Sequence, residues 1–138
     1  MSMNAKKWLI DSDLLIEGER GNPQMLDWLE AVENVATSDI ACAEFLVGAY
    51  QSAHQEKRER AFQFYRESIS TCPNESHIFS DFETAARLLG EAWRHKKGKP
   101  SMADALMAAT AIRTGRTMAS RNVQDFMACG VPVVNPLV

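Results

Sequence analysis

The sequence predicts an α/β domain, in which helices cover both faces of a mainly parallel central sheet of about five strands in a three-layer α/β/α arrangement. Three observations predict it. Short apolar runs rich in β-branched residues alternate with helical segments along the chain, the pattern of consecutive βαβ units. Helix start and stop residues stand between them: Asn22-Pro23, Ser38, Ser101, Gly115 and Gly130. The length, 138 residues, suits one domain over 1–138 with a sizeable core.

The elements follow in order. Trp8–Ile10 reads as a short buried strand, and Asp13 is placed to cap a helix over LLIEGE. Asn22 caps the next helix with Pro23 at its first position, running through MLDWLEAV. Val35–Thr37 is a second strand. Ser38 caps a helix from about Asp39 through IACAEFLVGAY, and QEKRERAFQFYRES continues as helix after a break near Ser52. Cys72-Pro73-Asn74 is a loop, and Ile78-Phe79 a third short strand. Ser80-x-x-Glu83 opens, as a capping box, a helix through about Lys96, ended by Gly98 and Pro100. Ser101 caps MADALMAATAIRTG, which stops near Gly115. Thr117–Ser120 is a fourth strand, and Asn122–Cys129 a short helix closed by Gly130. Val131–Val134 is a fifth strand, placed at an edge by Pro132.

Composition narrows the function classes. Hydrophobic residues make up 46% and charged residues 24%, ordinary for a globular protein. No apolar run approaches the roughly 18–20 residues of a membrane span. In MSMNAKKWLI the apolar piece is cut by Asp11 after three residues, too short for a secretory leader. The cysteines, Cys42, Cys72 and Cys129, are odd in number and lack CxxC spacing, which fits a reducing cytoplasm rather than a disulfide framework or a zinc site. Net charge is −3. Two basic clusters, Lys57–Arg60 and Arg94–Lys99, are each a solvated helix face or a contact for a polyanion.

The chemistry lies in three carboxylates that interrupt apolar segments. Asp11 ends the first strand within WLIDSDLLI. Glu44 is the only charge from Ile40 to Tyr50, and Asp104 the only charge from Ser101 to Ile112. Each has a structural alternative. Asp11 could be a solvated strand-end residue, Asp104 could complete a capping box with Ser101, and Glu44 could sit in a buried ion pair with an arginine. Together the alternatives weaken, because several unpaired acids in one place repel one another and raise each other's pKa. A divalent cation relieves both costs. Oxygen ligands without His or Cys select Mg²⁺ or Mn²⁺, and such a site suits phosphoryl transfer. In a parallel sheet the carboxyl ends of strands gather at one edge, where Asp11, Ser38 and Arg121, Asn122 and Asp125 all fall.

The blocks LIDSDLLI, IACAEFLVGA and SMADALMAATAIRTGRTMASRNVQDF, in this order and spacing, resemble the PIN-domain nucleases, and within them the VapC-type toxins of bacterial toxin–antitoxin pairs. The resemblance implies that Asp11, Glu44 and Asp104 hold a catalytic Mg²⁺ or Mn²⁺. The family's fourth position, often Asp, falls on Asn122, with Asp125 three residues on able to supply charge to the same edge. Ser12 matches the small hydroxyl residue after the first acid, and Asp13 replaces a usual Asn or Ser. Arg121 is a candidate contact for a substrate phosphate. The implied activity is endonucleolytic hydrolysis of RNA by a cytoplasmic homodimer held in check by a cognate antitoxin. Two rivals stand beside it: a PIN-like module that binds nucleic acid or a partner without catalysis, and an aspartyl-phosphate phosphatase using Asp11 as nucleophile.

Overall fold

The structure is a computed structural model and describes residues 6–138. The part of the leader expectation that rests on Met1–Ala5 lies outside them. Five strands form one parallel sheet in the order β3-β2-β1-β4-β5. They are β1 (Trp8–Ile10), β2 (Val35–Ser38), β3 (Asn74–Glu75), β4 (Thr117–Ala119) and β5 (Val133–Val134). The intervening chain forms α1 (Ser12–Glu19), α2 (Pro23–Ala31), α3 (Asp39–Gln51), α4 (Gln55–Phe64), α5 (Phe79–Arg94), α6 (Met102–Thr114) and α7 (Val123–Ala128), with a π-helical turn over Tyr65–Ile69 after α4. Helices α1 to α4 pack on one another, and α5 packs on α6 and α6 on α7. Right-handed crossovers put helices on opposite faces once the strand order reverses direction. That reversal happens at β1, so the crevice between the carboxyl ends of β1 and β4 is the sheet's switch point.

The core is built from the two central strands and from α6. Leu9, Ile10, Met118 and Ala119 are at most 1% exposed, and every α6 residue from Ala105 to Ala111 is buried. Five of those seven are alanine or threonine, small enough for a helix to lie against the sheet on one side and against α5 on the other. Phe126 of α7 is fully buried, and Trp8 meets Trp28 edge-on at 5.5 Å.

Local signals place most elements where the sequence does. Asn22 accepts from the Gln24 and Met25 amides at 3.0 and 3.2 Å, and its own amide donates to Glu17 at 3.1 Å. Asn22→Ala is therefore expected to cost about 1 kcal/mol, read as a drop of a few degrees in thermal midpoint. Ser38 and Ser101 cap α3 and α6, and Gly115 ends α6 with φ +70°. β5 lies at a sheet edge, and Pro132 stands just before it rather than inside it.

Three expectations are corrected. The third strand is Asn74–Glu75, not Ile78-Phe79. Thr37 N–H donates to Pro73 O, and the Asn74 amide donates to Thr37 Oγ1, which zips the residues after Pro73 onto β2. Ile78 instead precedes α5, and Phe79 is 88% exposed. The acid that reaches back at this helix start is Asp81, accepting from Ile78 N–H at 2.9 Å, not Glu83 of the expected Ser80 box. At α1 the cap is Asp11, which accepts from Ser12 N–H at 2.8 Å, and Asp13 lies inside the first turn.

Candidate functional site

The switch-point crevice begins at Asp11, which ends β1, caps α1 and is 6% exposed. Both carboxylate oxygens are engaged, Oδ1 by Ser12 N–H at 2.8 Å and Oδ2 by the Ser120 hydroxyl at 2.7 Å. Ser120 lies at the end of β4, is fully buried, and also accepts from Asn122 N–H at 2.9 Å. One hydroxyl thus couples the carboxyl ends of the two central strands. Sequence reasoning assigned Ser120 only to a strand. Its place at the strand end, directly before Arg121-Asn122, is the signal that could have found it.

Glu44 enters from α3, where its Oε1 accepts from the Ser12 hydroxyl at 3.2 Å. Asp104 enters from the first turn of α6, where the capping box is present. Asp104 Oδ2 accepts from Ser101 N–H at 2.9 Å, and Ser101 Oγ accepts from Asp104 N–H at 3.1 Å. Of the three acids only Asp11 is buried, while Glu44 is exposed and Asp104 half-buried. α3 and α6 both begin at the carboxyl edge of the sheet, so acids near their N-termini face the open mouth of the crevice while their apolar neighbours turn into the core. No cation pairs with Asp11, Glu44 or Asp104 among the described residues, which removes the arginine partner considered for Glu44.

The acids feel one another instead. Burial first, then the Asp13 charge, pushes Asp11 up to about 7, with a smaller push from Glu44 and opposing pulls from Ser120 and Ser12. Glu44 is raised by partial burial and by the charges of Asp104 and Asp13, against the pull of its Ser12 bond. Asp13 is raised by burial although Arg121 N–H donates to its Oδ2 at 3.0 Å, and its Oδ1 is buried without a partner among the described residues. Asp13 feels the Arg121 charge, whereas no cation stands within ion-pair distance of Asp11, Glu44 or Asp104 among the described residues.

The remaining candidates are placed as follows. Arg121 is braced by Glu17 at 3.0 Å and stays 55% exposed. Asn122 is half-buried at the start of α7, and its side-chain amide makes no hydrogen bond among the described residues. Asp125 turns to the loop before α6, where its Oδ1 accepts from Lys99 N–H at 2.9 Å.

The family model of the PIN domain matches residues 9–126. The chain belongs to the PIN-domain family. Among solved structures, it is similar to a chain of FitAcB from Neisseria gonorrhoeae, with a TM-score of 0.81 and 26% identity over 94% of this chain and 97% of that one. A toxin–antitoxin complex from Klebsiella pneumoniae gives a TM-score of 0.73 and 27% identity over 94% and 98%. Among curated proteins, the plasmid stability protein StbB of Pseudomonas syringae pv. tomato is 28% identical over 93% of this chain and 96% of its own length.

A divalent cation fits the donor chemistry of this PIN domain. The donors are hard carboxylate oxygens, the cluster carries uncompensated charge, and Asp13 Oδ1 is buried with no partner. Among the described residues no three His, Cys, Asp or Glu side chains close into a ready cage. Mg²⁺ needs none, since it binds through one or two carboxylates and keeps several waters.

Proposed function

We propose that this PIN domain is a Mg²⁺- or Mn²⁺-dependent endoribonuclease and the toxin of a toxin–antitoxin pair, acting in the cytoplasm as a homodimer restrained by a cognate antitoxin. The observation that carries the reading is the uncompensated line of Asp11, Glu44 and Asp104 at the switch point. The PIN family membership and the likeness to toxin–antitoxin structures support it. No helix among the described residues is long and apolar enough to cross a membrane.

When bound, a divalent cation supplies charge against the phosphodiester and makes water more acidic. Asp11 and Asp104 would hold it. Ser120 and the Ser12 amide fix the Asp11 rotamer, as supporting hydrogen bonds do for ligating carboxylates. Glu44, steadied by the Ser12 hydroxyl, would join them as a ligand or orient the attacking water. Asn122 offers a neutral amide at the fourth position. Asp13 adds charge beside the ligands while its Oδ2 anchors the Arg121 turn. Arg121, oriented by Glu17, presents an exposed guanidinium to a phosphate.

Cleavage of total cellular RNA in Mg²⁺, Mn²⁺ or EDTA, with mapped ends, tests the proposal. Cleavage is expected with either metal and none with EDTA. Asp104→Asn keeps an acceptor for Ser101 N–H, so it is expected to fold and to fall to the EDTA level. Cleavage by Asp104→Asn at the wild-type rate in metal-replete buffer would overturn the site assignment. Absence of cleavage of any RNA, with complexes still formed, would favour a binding module.

A further inference from the structure

The α5–α6 loop carries Lys96, Lys97 and Lys99, all exposed, and none is within ion-pair distance of a carboxylate among the described residues. This loop is held from two sides. Trp93 Nε1–H donates to Pro100 O at 3.2 Å, and Asp125 Oδ1 accepts from Lys99 N–H at 2.9 Å. Gly98 has φ +75°, and a Cβ there would stand 3.0 Å from Asp125 Oδ1, so the loop backbone presses directly on that carboxylate. Lys96 also takes left-handed backbone, φ +55°, unusual for a residue with a side chain. The left-handed Lys96 closes α5 as a Schellman cap, in which Lys97 N–H donates to Ala92 O at 2.9 Å and Lys96 N–H to Trp93 O at 3.2 Å.

Its position is informative. Lys99 stands two residues before Ser101, the cap of the helix whose first turn carries Asp104. The loop and α7 enclose an open cleft of about 570 Å³ lined by Lys96, Gly98, Lys99, Gln124 and Asp125. α6 packs against α7, so this cleft lies beside the helix whose first turn carries Asp104. Unpaired cations therefore stand near an acidic site, and a neutral amide, Gln124, lines the same cleft.

We infer that the Lys96–Lys99 loop is a preset clamp for the backbone phosphates of single-stranded RNA running into the acidic crevice, and that Asp125 is a positioning residue that holds the clamp rather than a metal ligand. This rests on the ribonuclease reading for the identity of the polyanion. The carboxylate works through the Lys99 amide. It fixes where the ammonium groups stand, while Lys96 and Lys99 meet phosphates and Gln124 offers a donor and an acceptor to a sugar or base edge.

Binding of a short fluorescent single-stranded RNA, measured in EDTA on an Asp11→Asn background, tests this apart from hydrolysis. The Lys96→Gln, Lys97→Gln, Lys99→Gln triple variant is expected to bind at least about tenfold more weakly and to flatten the slope of log K against log salt by about 1.4, at roughly 0.7 for each of the two phosphates that Lys96 and Lys99 meet. Its thermal midpoint should not move, because all three side chains are exposed. In the cleaving protein, Asp125→Ala is expected to raise KM with little change in kcat, while Asp125→Asn, which keeps an acceptor for Lys99 N–H, restores the wild-type KM. An unchanged affinity and salt slope in the lysine variant overturns the clamp. A loss of kcat in Asp125→Asn with RNA affinity intact overturns the positioning role. Lysine-dependent binding by a wild-type protein that cleaves no RNA would sink the nuclease reading and leave the clamp standing.

Discussion

Asp11→Asn is expected to abolish RNA cleavage and, in metal-free buffer at neutral pH, to make the protein more stable. The loss should exceed the roughly 10–100-fold that follows from removing an outer partner of a metal ligand, because Asp11 itself is the buried member of the acid line. The gain has a separate cause. The Asp11 carboxyl is pushed from an ordinary value near 3.8 up to about 7 by burial and by the Asp13 charge. Between those two values the folded state holds more protons than the unfolded one, so stability falls as pH rises through the window. Above pH 7 the full penalty is present, at most on the order of 4 kcal/mol, since each tenfold change in proton affinity is worth about 1.4 kcal/mol. Asparagine caps helices as well as aspartate does and carries no charge to desolvate. Equilibrium denaturation with EDTA from pH 4 to 8 should show the wild type losing stability with rising pH and the variant losing much less, and added Mg²⁺ or Mn²⁺ should stabilise only the wild type. A variant that is less stable than wild type at pH 8, or that still cleaves, removes Asp11 from the centre of the site.

How far these features were legible in the sequence depends on the range of the interaction that makes them. Asn22, Ser38, Ser101 and Gly115 act on their own helix ends, so their roles can be read from neighbours in sequence, and the helices they bound fall where expected. β3 has only two residues, and its pairing is decided by Thr37 and Pro73 on either side of a long excursion, so apolar patterning pointed to Ile78-Phe79 instead. Asp11, Glu44 and Asp104 stood out because each interrupts an apolar segment. The same reading overestimated the burial of Glu44 and Asp104, since periodicity cannot show that a helix starts at an open crevice. Ser120 had only its place at a strand end to mark it, and the Asp125–Lys99 bond joins residues from different elements, with nothing local to announce it. Asp81 is the clearest case. It sits in the polar run FSDFE, yet it is 2% exposed.

That burial makes Asp81→Ala the substitution with the largest expected cost to folding. Arg113 Nε donates to both carboxylate oxygens at 3.0 and 3.2 Å, its Nη2 donates to Oδ2 at 3.0 Å, and Thr110 Oγ1 and Ile78 N–H complete the set. The same Nη2 reaches Ser76 O at 3.0 Å, so one ion pair ties the start of α5 to the end of α6 and to the chain leaving β3. Removing one partner of a buried pair costs roughly 3–5 kcal/mol. Arg113 is about one-third exposed, and water can compensate part of its freed charge, so a loss near 3 kcal/mol and a fall of roughly 10 °C in thermal midpoint are expected. The Asp81→Ala, Arg113→Ala double variant should lose less than the sum of the single variants, the signature of direct coupling. Additive losses would dissolve the pair as an energetic unit. The pH dependence runs opposite to that of Asp11. Burial alone would raise the Asp81 carboxyl, but the Arg113 bonds, the Ile78 amide and Thr110 outweigh it and hold the group below its ordinary 3.8. Its contribution is then complete above about pH 4 and is lost as pH falls through the folded value. Two buried aspartates thus bend the stability curve in opposite senses. Asp81 is satisfied and defends the fold against acid, whereas Asp11 is left without a cation and weakens the metal-free protein toward neutral pH. It is this uncompensated carboxylate, rather than burial of an acid as such, that marks the site.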